Sequence, residues 1–226
     1  MRINVLLASV LTAGTPIVAP LAGQSSPAEV IDRAVAAWAK ITTVRGTFEQ
    51  TVSNSLTGTS ASSRGTFAQE RPNRLAIRFE QPGNDAIVAD GKAVWVYLPS
   101  SAPGQVIKRA ATDRSSVPID LTGQFLDAPR KKYDVAAAPS RSVGGRPAHG
   151  LLLVPKPGMT TGFAKATVWV DDEDALIREF EVTESNGVTR HVRLITVEPN
   201  ASINRSQFTF AVPKGIRVVD QTSPPS

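Results

Sequence analysis

Apolar side chains recur along this chain with two different periods, and the change of period divides it. Ile31, Ala34, Val35, Trp38 and Ile41 fall on one helical face, while Glu29, Asp32, Arg33 and Lys40 fall opposite. Ser26-Pro27-Ala28-Glu29 opens this stretch as a capping box: Ser26 is the N-cap, Pro27 takes the first helical position, and the Glu29 carboxylate reaches back. The pattern predicts an amphipathic helix of about four turns, its apolar stripe laid on another element.

From Val44 onward the period is two. Val44, Phe48 and Val52 alternate with polar partners, a short run follows over 64–69, and Leu75, Ile77 and Phe79 alternate with Arg74, Arg78 and Glu80. The runs 86–89 and 93–98 flank Asp90-Gly91, a dipeptide favoured in type I′ hairpins. Further runs lie near 105–110, 132–138, 148–155, 163–171, 175–183 and 187–196, with 136–150 read as a long hairpin connection. Connections rich in Gly, Pro, Asn and Asp predict antiparallel neighbours. Val117, Leu121, Phe125 and Leu126, following Pro118, interrupt the strands at helical spacing and predict one or two short helices. A sheet this long curls or closes.

The N-terminus carries a different signal. No charged residue separates Arg2 from Glu29, residues 3–11 are largely apolar, and Ala19, Ala22 and Gly23 offer small residues for cleavage. This is the form of a secretory signal over 1–23, leaving 24–226 as one domain. Thr12, Gly14, Pro16 and Pro20 interrupt the apolar run well before the roughly 20 residues of a membrane span.

Composition narrows the chemistry. Apolar residues make up 41% of the 226 and charged residues 20%, enough for a sizeable core without covalent staples. The absence of cysteine excludes a disulfide framework, a thiolate metal site, a cysteine nucleophile and a lipid anchor attached through cysteine. The net charge of +5 is diffuse: Arg130-Lys131-Lys132 is the single run of three, and Trp38, Trp95 and Trp169 stand apart from it, so nucleic acid is not an expected partner. His149 and His191 have no metal-ligand spacing, and no nucleophile elbow, phosphate-binding lysine loop or dinucleotide fingerprint occurs. Asp171-Asp172-Glu173-Asp174 lacks the alternating ligands of a calcium loop and reads as a hairpin turn. No cofactor and no catalytic residue are expected.

The blocks Phe48-Glu49-Gln50, Gly65-Thr66-Phe67-Ala68-Gln69-Glu70-Arg71-Pro72-Asn73-Arg74-Leu75, Gln81-Pro82, Ile87-Val88-Ala89-Asp90-Gly91-Lys92-Ala93-Val94-Trp95-Val96-Tyr97 and Phe208-Thr209-Phe210-Ala211-Val212-Pro213-Lys214-Gly215 occur in one order. In that order and spacing they resemble the periplasmic outer-membrane lipoprotein carrier (LolA) family, over nearly the whole chain after the leader. The resemblance implies a mainly β fold: an incomplete antiparallel barrel of eleven strands with a helical lid over an apolar cavity. It also implies a monomeric, non-enzymatic periplasmic chaperone. Such a carrier takes triacylated lipoproteins from an inner-membrane ABC-type exporter and passes them to an outer-membrane lipoprotein receptor. Arg71 occupies the position of the family arginine that hydrogen-bonds lid carbonyls and holds the empty cavity shut, with Pro72 after it. Ala68 and Gln69 depart from the family, whose residues there are bulkier and more hydrophobic.

An acyl chain exposed to water costs about 0.8 kcal/mol per methylene, so a triacylated protein needs an apolar wall to cross an aqueous space. Trp38, Ile41, Val44, Phe48, Leu75, Ile77 and Phe79 are the inward candidates for that wall. Alternation has the same form for a filled core. A lipid or glycolipid carrier and a lipoprotein-sensing domain share the implied fold, and a secreted glycan-active or adhesive β-domain is the competitor from another class.

Overall fold

The capping box forms as read. In the computed structural model, which describes residues 25–111 and 120–222, helix α1 (Pro27–Ala39) starts at Ser26. The Ser26 hydroxyl accepts the Glu29 N–H at 3.2 Å, and the Glu29 carboxylate accepts the Ser26 N–H at 2.7 Å. Val30, Ile31, Ala34 and Trp38 form its buried stripe. The helix stops at Ala39, so Ile41 enters the core from the connection beyond it.

Every alternating run becomes a strand: β1 (Thr43–Asn54), β2 (Thr59–Glu70), β3 (Arg74–Gln81), β4 (Ala86–Asp90), β5 (Ala93–Tyr97), β6 (Gln105–Ala110), β7 (Tyr133–Val143), β8 (Arg146–Pro155), β9 (Lys165–Asp171), β10 (Ile177–Thr183) and β11 (Val188–Pro199). A twelfth, β12 (Arg217–Gln221), joins them. Together they make one sheet in the order β12-β6-β5-β4-β3-β2-β1-β11-β10-β9-β8-β7. β7 and β12 end the sheet without pairing with each other, so the barrel is unclosed. Between β6 and β7 lie two short helices, α2 (Gly123–Leu126) and α3 (Pro129–Lys132). Val117 and Pro118, and the leader expected over 1–23, lie outside the described residues.

The structure adds one strand that the sequence did not show and corrects two local readings. β12 runs parallel to β6, not antiparallel, its register held by side-chain bonds from Lys108 to Asp220 (3.0 Å) and Arg109 to Gln221 (3.2 Å). Five residues, mostly exposed, leave no alternation to read. The β4–β5 turn centres on Gly91-Lys92, with positive φ at Gly91 alone, which is the type II′ requirement rather than I′. Asp90 instead serves that turn by accepting the Lys92 and Ala93 N–H groups, each at 2.8 Å. The segment 136–150 is strand almost throughout, turning only at Gly144-Gly145, whose φ values of 59° and 83° suit a type I′ turn.

The acidic run closes the β9–β10 hairpin. Asp171, 1% exposed, accepts the Glu173 N–H at 2.9 Å and the Asp174 N–H at 3.2 Å, and pairs with Arg146 and Arg178. Burial pushes its carboxyl up, but the Arg146 bond, the two N–H groups and the Arg178 charge outweigh that and hold it at about 2, below the ordinary 3.8.

The concave face carries the core. β1 crosses it at Gly46, where an added Cβ would sit 1.9 Å from the Thr196 carbonyl oxygen and 2.8 Å from the Phe67 ring. The missing side chain lets the Phe67 ring lie over the backbone of its cross-strand partner.

Gly46→Ala is therefore expected to lower stability by about 1–3 kcal/mol through overpacking; an unchanged thermal midpoint would count against the close approach. Asp171→Asn should cost about 2 kcal/mol at neutral pH, because it breaks the buried hairpin network. Since the folded pKa lies below the unfolded one, this contribution is complete above about pH 4 and is lost as pH falls towards 2. Denaturant midpoints of the two proteins should converge across that window.

Candidate functional site

An unclosed sheet with one apolar face makes a trough, and the helices cover only part of it. α1 and α2 lie against the concave side towards β7, β8 and β9. There Phe125 is fully buried, its ring centroid 5.2 Å from Phe180 and 5.8 Å from Phe163, and Tyr133 donates its hydroxyl to Gln124 O at 3.0 Å. Towards β3–β6 the cover thins: Ile77, Phe79, Ile87, Val96 and Ile107 share the concave face and are only half-buried. The far end of the trough is polar, where Gln50 bonds Ser63 at 3.1 Å and accepts Arg190 at 3.0 Å.

Between lid and sheet a cavity of about 20 Å³ remains, room for roughly one water-sized group. Of the expected lining residues, Trp38 and Val44 face it. Ile41 and Phe48 are packed into the same core, and Phe79 meets Phe48 edge-on at 5.5 Å. Ile77 bridges to a neighbouring cluster in which Leu75 is fully buried against Ala89 and Val94. In this closed form the interior is therefore filled, and the free apolar surface lies on the β3–β6 wall. Phe67, Gln69, Leu121 and Leu126 also face the cavity. Phe67 and Gln69 alternate within β2 and were legible by that parity; Leu121 and Leu126 belong to the segment of helical spacing, which predicted short helices but not which element they face.

Arg71 stands at the turn between β2 and β3, reached through a cis Arg71–Pro72 bond, with Pro72 exposed on the turn. Its Nη1 donates to Trp38 O at 2.9 Å and to Ile41 O at 3.0 Å, and its backbone N–H donates to Thr42 O at 2.9 Å. The guanidinium also lies 5.3 Å from the Trp38 ring centroid. The last turn of α1 has no basic residue, and Arg71 places its cation there, on Trp38 O, which also accepts the Ile41 N–H at 3.0 Å, and on Ile41 O just beyond the helix. Glu70 steadies the same turn through Arg74 at 2.9 Å and Arg205 at 3.0 Å.

The connection from α1 to β1 is held separately from the other side. Asn200 accepts the Thr42 N–H at 3.0 Å and donates to Lys40 O at 3.3 Å. Asp120 approaches the same region from the second lid segment. Burial pushes its carboxyl above the ordinary range, while the Gln69 amide, the Gly123 N–H at 2.7 Å and the Arg71 charge pull it back. Among the described residues no group of three His, Cys, Asp or Glu side chains could hold a metal ion.

Comparison with known proteins agrees with this geometry. The family model for Outer membrane lipoprotein carrier protein LolA matches residues 39–211. Proteins named Outer-membrane lipoprotein carrier protein are similar: one from Klebsiella pneumoniae (strain 342) at 25% identity, covering 80% of this chain and 83% of its own. One from Haemophilus ducreyi is 29% identical, covering 77% of each. A solved structure of an uncharacterized conserved protein from Thermus thermophilus shares the fold at a TM-score of 0.50 and 14% identity, over 86% of this chain and 98% of that one. With its unclosed twelve-stranded sheet and its family match across most of the described residues, the chain belongs to the LolA family of outer-membrane lipoprotein carriers.

Proposed function

We propose that this chain is a periplasmic carrier of lipid-modified proteins, with 24–226 as the working unit after removal of the leader. Its cargo is a triacylated lipoprotein, received from an ABC-type exporter in the inner membrane and surrendered to a lipoprotein receptor at the outer membrane. The observation that carries this reading is the Arg71 clasp, which ties the end of α1 to the β2–β3 turn above an apolar trough. The names of the relatives support the same cargo class.

The clasp accounts for both loading and release. The acyl chains need the β3–β6 wall and the space now occupied by Trp38 and the α2 segment, so the lid has to lift. Asn200 keeps the α1–β1 connection anchored while Arg71 binds the last turn of the helix to the β2–β3 turn, so the connection can act as a pivot. Energy stored in closing the lid is subtracted from cargo affinity, and that subtraction makes release downhill. The chain supplies binding, not catalysis: the wall offers apolar surface at about 25 cal/mol per Å² buried.

Loss of the clasp removes two charge-assisted bonds at a partly exposed site, about 2 kcal/mol in all. Arg71→Leu is therefore expected to bind acylated cargo roughly thirtyfold more tightly and to fail in handing it on. Normal transfer from the variant to an outer-membrane receptor would overturn the clasp. The role itself is tested with inner-membrane vesicles containing the exporter, ATP and a triacylated lipoprotein. Addition of the chain should release a soluble one-to-one complex; an active exporter with no release would sink the reading.

A further inference from the structure

Among the described residues one buried side-chain atom, Gln69 Nε2, makes no hydrogen bond. Gln69 is 1% exposed and sits on a cross-strand row between Val44 and Leu75, both apolar and both buried. Its Oε1 accepts the Leu121 N–H at 3.5 Å, the outer limit of such a bond. Its Nε2 makes no hydrogen bond of acceptable geometry and has only the attraction of the nearby Asp120 carboxyl as compensation. Reversing the amide would set its NH₂ against the Leu121 N–H, so the orientation follows from the lid backbone. A buried amide left unpaired in this way is an expensive feature of a core and calls for a reason. In the resemblance drawn from the sequence, position 69 is also one at which relatives are expected to be more hydrophobic.

Opening the lid sharpens the problem. Leu121 and Asp120 belong to the segment that must move, so lifting it strips Gln69 of its one acceptor contact and of its electrostatic compensation together. The amide then faces the ligand space from an apolar row. A plain alkyl chain in that space leaves it orphaned. A carbonyl oxygen, which the cavity of about 20 Å³ beside it could hold, does not.

We propose that Gln69 is a cargo-reading residue, donating from Nε2 to the carbonyl oxygen of an ester- or amide-linked acyl group, so that the chain prefers acylated headgroups to plain alkyl chains. This rests on the carrier reading above and adds to it a selectivity specific to this chain.

The test compares the chain with Gln69→Leu and Gln69→Met against three synthetic lipopeptides. The first is triacylated, with two ester-linked chains and one amide-linked chain. The second replaces both esters by ethers, and the third lacks the amide-linked acyl group. For the unaltered chain, losing the contacted carbonyl should weaken binding about five- to tenfold more than the same loss does in either variant. An effect confined to the ether ligand identifies the ester, and one confined to the third ligand identifies the amide. Both variants should melt at or above the temperature of the parent, since they remove an unpaired buried amide. Equal affinity ratios for parent and variants across all three ligands overturn the assignment and leave the carrier reading intact. Failure of the parent to bind any of the three overturns the carrier reading, and this inference with it.

Discussion

A twelve-stranded sheet that stops short of closure exposes one concave apolar face to water, and most of the remaining structure answers to that fact. Closure would remove the two sheet edges, but a barrel of this many strands is too wide for its own side chains to fill. Here the cover has to come from helices, and among the described residues they lie in two places, one before the first strand and two short ones in the β6–β7 connection. They fill the β7–β9 side with aromatic rings and leave the β3–β6 side half-covered. A face closed by detachable elements can be reopened, whereas a face closed by strand pairing cannot. The same incompleteness that costs burial thus makes a removable lid physically available.

On the function proposed above, polar groups decide how firmly that lid sits. Arg71 works at the C-terminal end of α1, whose last turn has no basic residue, and donates to one carbonyl of that turn and one of the connection beyond it. The ordinary guanidinium–carboxylate pair would be a poorer choice for a clasp. Separation of two opposite charges leaves each needing a new partner, while a guanidinium leaving carbonyls is readily solvated, and so are they. The carboxylates cluster elsewhere: Glu70 braces the turn that carries Arg71, and Asp171 braces the β9–β10 hairpin. Those networks sit on sheet turns, which are the parts expected to stay rigid while the lid moves.

The interior mixes this apolar cover with a few buried polar atoms, and they are unequal in kind. Asp171 is satisfied by two backbone N–H groups and two arginines, so its burial is purely structural. Gln69 has one long bond and one free donor, on the wall that a ligand would touch. Hydrogen-bond satisfaction therefore separates Asp171, which holds a hairpin, from Gln69, whose amide nitrogen is unpaired among the described residues.

The alternation of apolar and polar positions was enough to find α1 and each of β1 to β11, though not all of their bounds, because helix and strand periods are local properties of the chain. The resemblance carried by the Arg71-Pro72 block likewise marked the residue that the structure places on the helix carbonyls. β12 was not legible: a short, exposed edge strand has no buried face to impose alternation, and its parallel partner lies more than a hundred residues away. The type II′ turn at Gly91-Lys92 and the strand through 136–150 were misread because the register is set by cross-strand pairing rather than by a favoured dipeptide. Whether Trp38, Val44 and Phe48 line a cavity or fill a core was equally beyond the sequence. That depends on how closely α1 and α2 approach the sheet, and only the assembled structure, in which three-dimensional packing sets the space left over, decides it.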